Sequence, residues 1–194
     1  MFYVFYYFVF IMTKELASAL RNICYESNSD GMNYWLHNLK GELNESFEIE
    51  NIIEKIASIF HENWRKSRLN MDGKYKPMIE KADDREWVRK HWTRLVDITN
   101  TKFEDLPNNW KEENLEAAKV AVNLVYKKVV NGEEITSEMI EQMSKVVHEK
   151  RLERNWKEWS FENQRVDYKE LSEEEKSKDR DQIRIAIQVI KSEK

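Results

Sequence analysis

Apolar residues recur at intervals of three and four over most of the chain, a period that predicts helices. Over 13–25 the positions Leu16, Ala19, Leu20 and Ile23 share one helical face behind Thr13 as N-cap, and Ser27-Asn28-Ser29-Asp30-Gly31 breaks the element. A shorter helical piece holding Tyr34, Trp35 and Leu39 is expected to end near Gly41. A long amphipathic helix follows over 48–69 on Ile52, Ile53, Ile56, Ala57, Phe60 and Trp64, and Asn70-Met71-Asp72-Gly73 stops it. Residues 74–109 contain both prolines and no long period, so loops and short strands belong there, Val96-Asp97-Ile98 being the best extended stretch. Three further helices are predicted over 110–130, 137–154 and 172–192, with Asn131-Gly132 ending the first and Thr136 or Ser137 capping the second.

The first twelve residues, MFYVFYYFVFIM, break this pattern by being apolar throughout. A spanning helix needs about 20 such residues, and no basic residue precedes the run as it would in a secretory signal. The stretch reads as an extension upstream of a chain that could start at Met12, or else as a β-strand or a weak membrane-surface anchor. Composition narrows the remainder. In 194 residues there are four glycines and two prolines, and 35% of residues are charged, which describes a mostly helical, well-solvated protein. The net charge of −4 lacks the basic footprint of a duplex-binding protein. Cys24 has no partner for a disulfide, which fits a reducing, cytoplasmic compartment.

Two segments resemble each other. His61-Glu62 aligns with His148-Glu149 at an offset of 87, while Phe103-Glu104-Asp105-Leu106-Pro107 aligns with Tyr168-Lys169-Glu170-Leu171-Ser172 at an offset of 65, which also carries Lys111 onto Lys176. Ala118, Ala121, Val122 and Val125 then fall on Ile183, Ala186, Ile187 and Ile190, one apolar stripe used twice. The offsets differ because the first unit holds 22 more residues between its helices, 87 − 65 = 22. A helix with His-x-x-Trp, here His61-Glu62-Asn63-Trp64, an aromatic-x-acid-Leu turn and a charged helix start resembles the ryanodine-receptor-type repeat (RyR domain). The run from Asp167 to Arg180, DYKELSEEEKSKDR, carries the closest likeness. Unit two departs from the pattern in having Arg151 where unit one has Trp64 and Asp167 where a proline is expected. The resemblance implies a mainly α (α+β) fold of two helical-hairpin repeats with short β and loop segments. The corresponding division is an apolar extension 1–12, a helical region 13–47, and repeats over 48–132 and 133–194. It further implies a non-enzymatic binding module of the kind found in phage and bacterial proteins.

His61, Arg65 and Arg68 lie on one helical face with Trp64 alongside, offering cations and a ring to a small anionic or nucleotide-like ligand. His148, Arg151 and Arg154 repeat the idea, and Trp156 and Trp159 follow in a loop where they need not be core. The same residues have a plain structural reading. His61 then bonds to the turn of its own repeat, Trp64 is core, and the arginines are solvated or paired with Glu62 and Asp72. The aromatic-acid-Leu turn likewise needs no function, since its aromatic and leucine anchor a loop and Pro107 or Ser172 opens the next helix. The zinc-protease motif fails because position 65 is Arg and position 152 is Leu. With glycines only at 31, 41, 73 and 132, no phosphate-cradling loop exists. Neither a cofactor nor a metal is expected. The candidate ligand-binding set is therefore His61, Trp64, Arg65, Arg68, His148, Arg151, Trp156 and Trp159. The alternative is an interaction scaffold forming a homo-oligomer or a virion-associated assembly.

Overall fold

The computed structural model describes residues 29–155 and 166–193, so the helix predicted over 13–25 lies outside the described residues. The chain divides into two compact units, Met1–Ile49 and Glu50–Lys194. Five α-helices and one two-stranded sheet make up the described part, a mainly α fold with short β segments.

Helix α1, Ser29–Lys66, is one continuous element. The expected end near Gly41 is overridden; of the expected break at 27–31, residues 29–31 are helical, and 27 and 28 lie outside the described residues. Ser29 and Asp30 suit a first helical turn, where exposed N–H groups welcome short polar side chains. Gly41 costs a helix only about 1 kcal/mol, and strong helix formers (Leu39, Lys40, Glu42, Leu43) flank it. In the first unit α1 leaves Leu43 and Phe47 exposed; in the second, Ile52, Ile53, Ile56 and Ala57 are buried. The helix ends three residues before the predicted limit, where the Ser67 hydroxyl donates to the Trp64 carbonyl at 2.7 Å. The chain then reverses through Gly73, in the left-handed region at φ 76°, to bridge Leu69 with Tyr75.

The 74–109 region contains two strands, β1 Ile79–Lys81 and β2 Leu95–Asp97, paired antiparallel with Lys81 opposite Leu95 and Ile79 opposite Asp97. Between them stands α2, Arg85–His91, a short helix that the hydrophobic pattern did not predict. Its signal is Asp84, whose carboxylate accepts from Glu86 N and Trp87 N as an N-cap and also from Asn108 N. Three helices complete the second unit: α3 Asn108–Val130, α4 Ser137–Asn155 and α5 Glu173–Ser192. Gly132, at φ 73°, follows α3, and Thr136 Oγ1 accepts from Met139 N at the start of α4. Helix α5 packs on both α3 and α4. The stripes Ala118, Ala121, Val122, Val125 and Ile183, Ala186, Ile190 are buried, while Ile187 is half-buried. Alanine at three of these eight positions, 118, 121 and 186, lets helix backbones approach closely.

Candidate functional site

The last turns of α1 hold three of the predicted ligand-binding residues, His61, Trp64 and Arg65, and the turn just after it holds a fourth, Arg68. His61 and Arg65, one turn apart, are buried and point at the loop following β2. His61 Nε2 donates to the Thr101 carbonyl at 2.9 Å, and because a carbonyl only accepts, this nitrogen carries the ring proton. Arg65 Nε donates to the Thr99 carbonyl at 2.7 Å, its Nη1 meets Glu62 Oε2 at 2.7 Å, and its guanidinium lies 4.8 Å from the Tyr75 ring centre. Burial lowers the His61 pKa from 6.5, and the neighbouring Arg65 charge adds to that effect against the opposing bond to Thr101. Trp64 stacks on the His61 ring at 5.7 Å, and the Arg68 guanidinium sits 4.6 Å from the Trp64 ring centre. Arg68 is half-buried and forms no ion pair with any described residue.

Asp97 makes those two carbonyls available. Its Oδ1 accepts from Met78 N, Thr99 N and Asn100 N at 3.1, 3.2 and 3.3 Å, its Oδ2 accepts from Asn100 Nδ2 at 2.8 Å, and its own carbonyl receives both Thr101 donors. Partial burial opposes ionisation, yet the bonds from Asn100, Met78 and Thr99 prevail and hold the carboxyl below 3.8. Six donors on one aspartate determine where Thr99 and Thr101 present their oxygens.

The turn that follows occurs in two versions. Phe103–Asp105 and Tyr168–Glu170 are single 3₁₀ turns, closed by Leu106 N on the Phe103 carbonyl and Leu171 N on the Tyr168 carbonyl, each at 3.3 Å. Phe103 and Leu106 are buried, as are Tyr168 and Leu171. Histidine tilts against the aromatic in both, at 6.4 Å and 52° for His61 with Phe103 and 6.0 Å and 59° for His148 with Tyr168. A lysine caps each ring, Lys111 at 6.0 Å and Lys176 at 5.8 Å, while donating to the Glu104 and Lys169 carbonyls respectively. His148 Nε2 donates to the Val166 carbonyl at 2.8 Å, the counterpart of the His61 bond at an offset of 65 on the carbonyl side.

The surroundings of the two histidines differ. Arg151 Nη2 donates to His148 Nδ1 at 3.1 Å, which fixes that ring as neutral with its proton on Nε2. Beneath it lies Asp179, fully buried, with Oδ2 3.6 Å from His148 Nδ1 and Oδ1 3.5 Å from Arg151 Nη1. Neither carboxylate oxygen accepts a hydrogen bond. Burial raises the Asp179 pKa, partly offset by the charge of Arg151. At the offset of 65 the position matching Asp179 is Asn114, whose side chain donates to the Trp110 carbonyl at 3.0 Å. Arg154, predicted beside this group, reaches Glu113 at 3.4 Å.

Of the eight predicted residues, Trp156 and Trp159 lie outside the described residues. His61, Trp64, Arg65 and Arg68 form one assembly, and His148 with Arg151 forms another. None of these six lines either of two surface depressions, of about 460 Å³ beside Asn51, Lys55 and Phe103 and about 210 Å³ beside Trp87, Lys90 and His91. Pattern reading missed Asp97 and Asp179 as organising residues. Asp179 has a signal, since it stands four residues before Ile183 in register with the buried stripe of α5, where an acid needs a partner. Asp97 has none beyond its place at the end of an extended stretch. Among the described residues no cluster of three His, Cys, Asp or Glu could hold a metal ion, and no helix is long and apolar enough to cross a membrane. Comparison with family models, curated proteins and solved structures returned no match.

Proposed function

We propose that this chain is a non-enzymatic interaction module, in which the paired His and Arg residues hold the helical hairpins together and partners are met on the surface. One observation supports this above the rest: the donors of His61, Arg65 and His148 end on carbonyl oxygens of the chain itself, at Thr101, Thr99 and Val166. An anion entering either assembly would have to displace bonds to backbone oxygens, buried at Thr99 and part-buried at Thr101 and Val166, at about 1–3 kcal/mol for each buried group left unmade. The likeness to ryanodine-receptor-type repeats, carried by the two turns, agrees with a binding rather than a catalytic role.

A thermal-shift series with nucleotides and cyclic dinucleotides tests the reading. No shift is expected, whereas Arg65→Met lowers the melting temperature through loss of the Thr99 and Glu62 bonds. A ligand-induced rise that vanishes in Arg65→Met would overturn the structural role. A second reading, a small-anion site at the surface, is favoured by Arg68, which stands over Trp64 without an ion pair among the described residues. It predicts a shift that is abolished by Arg68→Ala and survives in Arg65→Met.

A further inference from the structure

The segment between the two halves of the sheet carries a combination the proposed function does not use. Trp92 caps α2 in the left-handed region, at φ 56° and ψ 25°, and is the one non-glycine residue among those described with positive φ. A bulky side chain there is strained, and the strain is not repaid by packing, because Trp92 is 91% exposed. Leu95 and Ile79, each 56% exposed, share the outward face of the β1–β2 ribbon, where Lys81 is the cross-strand partner of Leu95. Val96, on the opposite face, is buried. The same segment carries Arg85, Arg89, Lys90 and Arg94, all exposed, with the acids Asp83 and Glu86 among them, Glu86 reaching Arg89 only at 4.0 Å, and Asp97 lies opposite Ile79 on the ribbon. Arg85, Lys90 and Arg94 form no ion pair among the described residues.

We infer that this ribbon and its Trp92 corner form a docking surface for an anionic lipid membrane, deepening the surface-interaction reading on which the inference rests. A second copy of the chain fits poorly, because an isologous contact would set these cations against themselves. Single-stranded nucleic acid takes stacked rings, and here one exposed indole is accompanied by aliphatic Leu95 and Ile79, which offer a base no π-face. A bilayer surface suits every component. The indole occupies the headgroup boundary, the two aliphatic side chains reach the first acyl carbons, and the cations pair with lipid phosphate and carboxylate. The left-handed backbone at Trp92 holds the ring away from the body of the protein, where a membrane can meet it.

The test is co-sedimentation of the full chain with phosphatidylcholine vesicles, with and without about one third phosphatidylserine. Binding is expected on the anionic vesicles alone and is expected to weaken as salt rises. Arg89→Glu together with Lys90→Glu is expected to reduce it at least about tenfold. Trp92→Gly is the decisive variant, because glycine relaxes the backbone: its melting temperature should rise or hold while vesicle binding falls. Failure of the wild type to bind anionic vesicles would overturn the inference and leave the interaction module intact. Binding unchanged in Trp92→Gly but lost on removal of residues 1–12 would overturn it in favour of the apolar run. Retention of a single-stranded oligonucleotide, lost in Trp92→Gly, would overturn it in favour of nucleic acid.

Discussion

Three side chains in the second unit tie its stability to specific chemistry. His61 resists protonation when folded, so below pH 6.5 the unfolded chain binds more protons than the native one. Stability is therefore expected to fall as the pH drops through that window. His61→Gln, which keeps a donor for Thr101, should flatten the dependence of the melting temperature there. Asp179 acts in the opposite sense. Its pKa is raised above 3.8, so its contribution is complete below that value and is lost as pH rises through the folded pKa. Asp179→Asn, the residue type already present at position 114, is expected to be at least as stable as the wild type at pH 7, as measured by chemical denaturation. A loss of several kcal/mol would show instead that the carboxylate is compensated by Arg151. Asp97→Ala leaves the N–H groups of Met78 and Thr99 without an acceptor, while Asn100 N keeps the residue-97 carbonyl at 3.2 Å, and should cost about 1–3 kcal/mol. Asp97→Asn, which retains one carbonyl oxygen, should recover part of it.

At the level of elements, the glycines separate helix propensity from turn geometry. Gly41 lies inside α1 with nothing within 4 Å of an added Cβ, so Gly41→Ala should stabilise the helix by about 0.5–1 kcal/mol. Gly132 has equally open space but a φ of 73°, and Gly132→Ala should destabilise by about 1 kcal/mol through backbone strain alone. Melting curves of the pair would show opposite signs. Sequence period located α3, α4 and α5 because each carries a stripe at helical spacing, ended by signals as plain as Asn131-Gly132. It divided α1 because a lone glycine and a polar cluster read locally as breakers, while the cost of one glycine is small against the helix formers beside it. It missed α2 because seven residues hold barely two turns and no stripe can repeat in that length; only the Asp84 cap, which also reaches across to Asn108, marks it.

For the molecule as a whole, the legible part of the candidate site was its membership. His61, Trp64, Arg65 and Arg68 were placed together from their spacing, and the fold does bring them together. Illegible was the direction of their donors, since the Thr99 and Thr101 carbonyls come from a loop more than thirty residues away whose shape depends on Asp97. Spacing along a helix shows which side chains share a face, and it says nothing of which backbone oxygens will meet that face. The 22 residues by which the two offsets differ lie between His61 and Phe103, the stretch that holds the sheet, α2 and the exposed Trp92.

The lysine above each turn gives the fold one more property. Lys111 must lie over the Phe103 ring while one of its N–H bonds ends on the Glu104 carbonyl, and Lys176 repeats the posture over Tyr168 and Lys169. A compact tetrahedral ammonium can face a π-cloud and a carbonyl from one point, whereas a flat guanidinium commits its plane to one of them. Arginine, the nearest substitute by charge, is thus the wrong shape for these two positions.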